Sequence, residues 1–155
     1  MKLFQFGCTV LLVVSLWCSL AVAADKVKVL SSEEFKALIE QNTPGLVVID
    51  SRSVEEYQEV HIKSALSIPL TKLEKDITLL PAAKEARLVF YCNGVKCGKS
   101  GKSAKIAIDN GYKDVYVYSD GMPVWEEKGY SICTGPDYVS QVRVCWKKQA
   151  DSRLP

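Results

Sequence analysis

The chain has 155 residues, of which 48% are hydrophobic and 25% are charged, and its formal net charge is +2. This length fits one globular domain with a packed core and is too short for two full-sized domains. A net charge so close to zero argues against a nucleic-acid-binding protein, which normally carries a basic stripe. The six cysteines are too sparse for a disulfide-held miniprotein, so nucleophile, redox and metal chemistry must each be considered.

The first 24 residues have the pattern of a secretory signal peptide. Lys2 precedes an uncharged run from Leu3 to Ala24, and Ala21, Val22 and Ala23 before that end supply small residues for a cleavage site. We therefore predict that residues 1–24 are removed and that the protein is exported to the periplasm. The alternative is an uncleaved anchor that holds the domain on the periplasmic side, because an uncharged run of about 20 residues can span a bilayer. Contact with a membrane is expected only in that case.

Apolar strands alternate with helical patterns along the exported part of the chain. Continuous apolar strands separated by helices predict an α/β fold, in which an open parallel five-stranded sheet carries helices on both faces. We predict a single domain over residues 25–133. Residues 134–155 form a C-terminal tail without a clear period, packed on the domain or linked to it by a disulfide. The predicted elements are, in order, a strand over 27–30, a helix capped by Ser31 or Ser32 and running to Ile39, a strand over 46–49 that ends at Asp50, a helix over 54–59, strands over 65–68 and 87–91, a helix that contains Ala104, Ala107 and Ile108, and a strand over 115–118.

Cys92 directly follows a predicted strand and is the candidate nucleophile. In open parallel sheets, ligands bind beyond the carboxyl ends of the strands. Two glycines allow the loop after Cys92 to curl with its backbone N–H groups inward, and the start of the next helix adds its positive end. Such surroundings favour the thiolate, which is the nucleophilic form of cysteine. The predicted binding residues of this loop are Asn93, Gly94, Val95, Lys96, Cys97 and Gly98.

Lysines at and after the loop indicate an anionic substrate. A cation in the first turn of a helix opposes the helix dipole by about 0.3–1 kcal/mol, so its presence there calls for a reason. Lys96, Lys99 and Lys102 are placed to attract an anion to Cys92. The alternative is that the three lysines are merely solvated and that Cys92 is a buried residue at the end of a strand.

Three ordered motifs over about residues 28–132 resemble the signatures of rhodanese-like domains. The resemblance implies the fold predicted above and places Cys92 where this family carries its sulfur-accepting cysteine. The sequence departs from the family pattern at Val60 and Ser64, which replace glycines that are common around the pair His61–Ile62. The motifs are Asp50–Tyr57 with His61–Pro69, then Tyr91–Cys92 and its loop, then Gly111–Tyr112, Val115 and Gly121–Trp125.

The resemblance implies an exported sulfurtransferase that works through a persulfide on Cys92. The sulfur donor would be a small anion such as thiosulfate, the acceptor a thiol or cyanide, and neither a metal nor an organic cofactor is needed. Two alternatives stay open: a thiol redox or sulfur-relay protein that uses Cys92 with Cys97, and a non-catalytic binding module. A Cys-x5-Arg phosphatase is disfavoured, because the sixth residue after Cys92 is Gly98 and not arginine.

Several residues around the candidate nucleophile receive supporting roles. Cys97 occupies a position that is often arginine in the family, and five positions from a reactive thiol it is a candidate resolving thiol. Asp50 and Arg52 are expected to support loops, with Arg52 paired to a carboxylate. The resemblance gives His61 a structural place at the start of a strand.

Cys133 and Cys145 are the candidates for a structural disulfide that pins the tail. Closing a loop of about a dozen residues would contribute about 3 kcal/mol by the chain-entropy model. No metal site is predicted, because the cysteine spacings lack a Cys-x2-Cys pair and His61 is the only histidine in the sequence.

Overall fold

The computed structural model describes residues 27–135 and the backbone of residues 144–147. The predicted signal peptide over residues 1–24, and the predicted tail apart from residues 134–135 and 144–147, lie outside the described residues. The strands are β1 (Lys28–Leu30), β2 (Leu46–Asp50), β3 (His61–Ile62), β4 (Ala65–Ser67), β5 (Arg87–Tyr91), β6 (Asp114–Tyr118), β7 (Ser131–Thr134) and β8 (Val144–Lys147). The helices are α1 (Ser32–Glu40), α2 (Val54–Glu59), α3 (Leu70–Leu73), α4 (Lys99–Asp109) and α5 (Gly121–Glu127), with a 3-10 turn at Ile77–Leu79.

Five strands form one parallel sheet in the order β1-β6-β5-β2-β4. Each neighbouring pair in this sheet is parallel, which confirms the predicted open five-stranded sheet. The order places β5, the strand before Cys92, in the middle between β6 and β2. The carboxyl ends of these three strands therefore meet at one end of the sheet, where ligands bind in folds of this kind.

Helices cover both faces of the parallel sheet, as predicted. Successive residues of a strand point to opposite faces, so Leu88 and Phe90 of β5 pack on one side, and Val89 and Tyr91 on the other. Because both faces are buried at the middle of the sheet, the central strands β2 and β5 contain continuous apolar runs and do not alternate with polar residues. The face of Val89 is covered by Phe35 of α1, Tyr57 of α2 and Trp125 of α5, and the face of Leu88 by Leu73 of α3 and Ala104 and Ala107 of α4.

Two helices begin at a complete capping box. At the start of α1, the Ser31 hydroxyl accepts the N–H of Glu34 at 3.2 Å, and the Glu34 carboxylate accepts the N–H of Ser31 at 2.8 Å. Ser31 is therefore the cap, and the alternative Ser32 is the first residue of the helix. Ser53 and Glu56 form the same pair of bonds at the start of α2. A cap of this kind stabilises a helix by about 1 kcal/mol.

A second, three-stranded sheet is not predicted by the sequence. In this sheet β3 pairs antiparallel with β7, and β7 with β8. Strands of two to four residues are too short for a period of two to stand out. The register places Cys133 directly opposite Cys145. Opposite residues of an antiparallel pair have Cα atoms roughly 4.5–5.5 Å apart, which lies within the range of a disulfide, so the Cys133–Cys145 bond stays a well-motivated prediction.

The short helices α3 and α5 also lie outside the sequence prediction. They have four and seven residues, and two turns or fewer leave no helical period to detect. Within the described ranges, no helix combines the length and the apolar character needed to cross a bilayer.

Candidate active site

Cys92 lies at the carboxyl end of β5, the central strand of the parallel sheet. The pairing of β2 with β5 continues one step past Asp50, because Ser51 donates its N–H to the Tyr91 carbonyl at 3.0 Å. Cys92 therefore starts from a rigid part of the sheet. The residue is buried, with 1% of its surface exposed.

The predicted binding loop, residues 93–98, forms a tight turn between β5 and α4. Gly94 and Gly98 have φ values of +107° and +70°, which residues with a side chain rarely adopt. The N–H of Cys97 donates to the Gly94 carbonyl at 2.9 Å and closes the turn. This N–H is used inside the loop, so it is not one of the inward N–H groups that the sequence predicts for binding an anion. Val95 forms the tip and is 80% exposed.

Two oxygen atoms lie near the Cys92 sulfur. The sulfur lies 3.3 Å from the hydroxyl oxygen of Ser100 and 3.8 Å from the carbonyl oxygen of Gly94. Ser100 is buried in the first turn of α4. Ser100 has no distinguishing signal in the sequence, because a serine near the start of a helix is common and only the fold of the loop turns it toward Cys92. Its hydroxyl can donate to a thiolate at this position.

Cys97 lies beside Cys92 and is partly exposed. Burial raises the pKa of the Cys97 thiol, but hydrogen bonding with the Cys92 thiol and with the backbone N–H groups of Lys99 and Asn93 lowers it by more, so the pKa falls below its ordinary value. The loop therefore contains two neighbouring thiols, and backbone N–H groups stabilise the thiolate of the second one, Cys97.

The start of α5 packs closely against the active-site loop. Met122 donates its N–H to the Cys92 carbonyl at 2.9 Å. Gly121 has a φ of +74°, and a Cβ built on it would lie 2.2 Å from the Gly94 nitrogen and 2.5 Å from the Cys92 carbonyl oxygen. Only glycine allows this close approach, which explains why the closing motif of the sequence carries glycine at 121.

Charged groups surround the mouth of the loop. Lys96 and Lys102 are exposed, whereas the Lys99 ammonium lies 3.7 Å from the Glu56 carboxylate. Glu56 also accepts a hydrogen bond from the side-chain amide of Asn93, so α2 is fastened to the loop. Burial raises the pKa of Glu56, but the bond from Asn93 and further hydrogen-bond and charge contacts lower it by more. A carboxylate at this place is not anticipated from the sequence.

Asp50 and Arg52 form a buried ion pair beneath the loop. The guanidinium donates from Nη2 to the carboxylate at 2.6 Å and from Nε at 3.0 Å, and Nη2 also donates to the Val60 carbonyl at 2.6 Å. Burial lowers the pKa of Arg52, but its bonds to Asp50 raise it by more, so the guanidinium stays charged. The pair fastens the end of β2 to the end of α2, and Arg52 lies 5.8 Å from the ring centroid of Tyr91.

His61 and Trp125 belong to the core. The imidazole of His61 stacks on Tyr57 with ring centroids 3.8 Å apart, and its Nδ1 lies 2.8 Å from the Tyr57 carbonyl oxygen. Trp125 is buried and donates its Nε1–H to the carbonyl of Ser131 at 3.1 Å. In the part of the chain that the structure describes, no group of three or more His, Cys, Asp or Glu residues is placed to hold a metal ion.

The structure places the predicted residues 92–98 in one loop, and Asp50 and Arg52 at the end of the neighbouring strand β2. Cys133 lies instead in the second sheet, opposite Cys145.

The comparisons with known proteins agree with this architecture. A family model described as "Rhodanese-like domain" matches residues 31–128, from the cap of α1 to the end of α5. The chain is 28% identical over 110 residues to the thiosulfate:glutathione sulfurtransferase of Saccharomyces cerevisiae, a match that covers 64% of this chain and 78% of that protein. Among solved structures, a Bacillus halodurans protein superposes with a TM-score of 0.60 and 26% identity, over 70% of this chain and 76% of that chain.

Related domains also occur inside larger proteins. The chain is 32% identical over 90 residues to an HTH-type transcriptional regulator of Mycobacterium tuberculosis, and the match covers 58% of this chain. It spans only 38% of that regulator's length. The similarity therefore concerns one domain of the regulator, and nothing of its activity as a whole carries over.

Proposed function

The chain belongs to the family of rhodanese-like domains, and from that premise we propose that it is an exported sulfurtransferase. A persulfide on Cys92 would carry sulfane sulfur from a small anionic donor, such as thiosulfate, to a thiol or cyanide. The observation that carries this proposal is the Cys92 thiol at the end of the central strand, 3.3 Å from the Ser100 hydroxyl. The similarity to the yeast thiosulfate:glutathione sulfurtransferase supports the same class of reaction.

The proposed reaction has two steps, both at the sulfur of Cys92. In the first, the Cys92 thiolate attacks the outer sulfur of thiosulfate; a new S–S bond forms, and the electron pair of the old S–S bond leaves with sulfite. In the second, the acceptor attacks the outer sulfur of the persulfide, and the electron pair of that bond returns to Cys92 as a thiolate. Covalent catalysis of this type divides one difficult transfer into two easier displacements. Neither step needs a metal or an organic cofactor.

The surroundings of Cys92 suit the negative charge in both steps. The Ser100 hydroxyl is close enough to donate to the Cys92 sulfur. The eleven-residue helix α4 begins at Lys99 and directs its positive end toward the loop. Donors fixed in advance around a developing charge stabilise a transition state more than water does. Ser100→Ala is therefore expected to slow sulfur loading without preventing folding.

Sulfur loading of the purified protein tests the proposal directly. The reduced protein is treated with thiosulfate, and its intact mass is measured before and after addition of cyanide. We expect an early added sulfur on the wild type, thiocyanate when cyanide is added at that time, and neither on Cys92→Ser. A wild type that neither gains sulfur at early times nor forms thiocyanate, or an adduct that persists in Cys92→Ser, would be incompatible with the proposal.

Substitution of the exposed lysines tests the preference for an anionic donor. Lys96→Gln and Lys102→Gln are expected to lower kcat/KM for thiosulfate about two- to tenfold at low salt, with a smaller effect near 1 M salt, where charges are screened beyond about 3 Å. Lys105→Gln is the matched control on the same helix, because Lys105 is paired with Asp109 at 2.8 Å, away from the loop. An equal loss in all three variants would point to general charge and not to a donor site.

Export rests on the predicted signal peptide and is tested in bacterial cells. The full chain is expressed, the cells are fractionated, and the mass of the recovered protein is determined. We expect a periplasmic protein that begins at Ala24 or Asp25. A membrane-bound protein that retains Met1 would favour the anchored alternative, and an uncleaved cytoplasmic protein would contradict export.

A further inference from the structure

The active-site loop contains a second thiol that the proposed sulfur transfer does not use. Cys97 lies in the same tight turn as Cys92 and is partly exposed. The Gly94 carbonyl also joins the two residues, because it accepts the Cys97 N–H at 2.9 Å and lies 3.8 Å from the Cys92 sulfur. The two cysteines therefore form a dithiol pair inside one short turn.

The surroundings of Cys97 prepare it to act as a nucleophile. Cys97 directly precedes Gly98, the residue that caps α4, so it lies near the positive end of that helix. Burial raises the pKa of Cys97, but the hydrogen bonds with Cys92, Lys99 and Asn93 lower it by more. Because the thiolate is the attacking species in thiol chemistry, Cys97 is poised toward the sulfur that it contacts.

We propose that Cys97 is an internal acceptor that attacks the persulfide of Cys92 at its inner sulfur, releases the outer sulfur as hydrogen sulfide and leaves a Cys92–Cys97 disulfide. This inference rests on the proposed persulfide. The inner sulfur is the expected target, because the Gly94 carbonyl, which Cys97 and the Cys92 sulfur share, places Cys97 beside the sulfur of Cys92 itself.

Atoms and electrons balance in this step without an external oxidant. A bond forms between the two cysteine sulfurs, and the bond from Cys92 to the outer sulfur breaks with its electron pair on the departing sulfide. The outer sulfur gains two electrons, the two cysteines lose two, and the proton of Cys97 leaves with the sulfide. A thiol reductant then restores the dithiol by two exchange reactions and is itself oxidised to a disulfide. Turnover would therefore convert one thiosulfate and two thiols into sulfite, hydrogen sulfide and a disulfide.

The sequence offers a direct way to detect the disulfide. Trypsin cleaves after Lys96 and separates Cys92 from Cys97, so only a disulfide holds the two peptides together. The reduced protein, freed of reductant, receives one equivalent of thiosulfate. Released sulfide is measured, remaining thiols are blocked, and peptides are mapped without reduction. We expect sulfide release together with the linked pair of peptides.

Cys97→Ser is the decisive variant, with Cys97→Ala as a second one, and urea unfolding confirms that each is folded. We expect both to hold a stable persulfide on Cys92 and to lose sulfide release until an external thiol is added. A wild type that keeps its persulfide, or variants that release sulfide as the wild type does, would overturn the internal step and leave the proposed sulfurtransferase intact. Failure of the wild type and both variants to take up sulfur would overturn the proposed function and this inference together.

Discussion

Gly121→Ala is expected to disable the active-site loop while the parallel sheet stays folded. A Cβ at this position would lie 2.2 Å from the Gly94 nitrogen and 2.5 Å from the Cys92 carbonyl oxygen. Both are backbone atoms, so no side-chain rotation relieves the overlap and the loop has to withdraw by about 1 Å, a displacement that can lower a rate about a hundredfold. We therefore expect the rate of sulfur loading from thiosulfate, followed by intact mass, to fall by about two orders of magnitude.

Gly45→Ala is the matched control for this experiment. Gly45 has a φ of +73°, against +74° for Gly121, but a Cβ on Gly45 meets no atom within 4 Å. Both substitutions force alanine into the left-handed region, which lowers the free energy of unfolding in urea by about 1–2 kcal/mol. Only Gly121→Ala adds the overlap with the loop. Equal loading rates in the two variants would refute the idea that α5 positions Cys92.

Two further predictions concern charged groups that hold the fold together. Arg52→Leu leaves the Asp50 carboxylate buried without its partner and is expected to lower the free energy of unfolding in urea by about 3–5 kcal/mol. The double variant Asp50→Asn/Arg52→Leu should lose clearly less, and an equal loss would show that the unpaired carboxylate is not the cause. Burial raises the pKa of Asp114, but hydrogen bonds from Arg87 and Lys28 lower it below its ordinary value of 3.8. A carboxyl whose folded pKa is depressed stabilises the protein above its unfolded pKa and loses this effect as pH falls through the folded value. The difference in unfolding free energy between wild type and Asp114→Asn should therefore shrink as the pH is lowered from about 5 to about 2, and a constant difference would contradict it.

The parallel sheet could be predicted because its central strands have a clear pattern in the sequence. The central strands, such as β5, are buried on both faces, so they form continuous apolar runs bounded by turn residues. The starts of α1 and α2 can also be predicted from the sequence, because Ser31 with Glu34 and Ser53 with Glu56 have the spacing of a capping box. Cys92 follows from the same logic, because the end of a parallel strand is where a ligand meets the sheet.

The finer structure of the site could not be predicted, because it depends on contacts between distant segments. Glu56 is fully explained by its capping box, so its second role as the acceptor of Asn93 leaves no separate signal in the sequence. Ser100 is an ordinary residue for a first helical turn, and the contact with Cys92 arises from the path of the loop. Gly121 could be read as the end of a strand, whereas its close approach to the loop is visible only in three dimensions.

The second sheet has a consequence for the solubility of the protein. β3 pairs with only two residues of β7, on one side, whereas β8 pairs with all four on the other. A chain shortened after Thr134 would lose β8 and present β7 as an open edge strand, with unpaired N–H and C=O groups that favour pairing with a second copy. The C-terminal segment thus completes the pairing of β7, and the shortened chain is expected to self-associate more than the full chain.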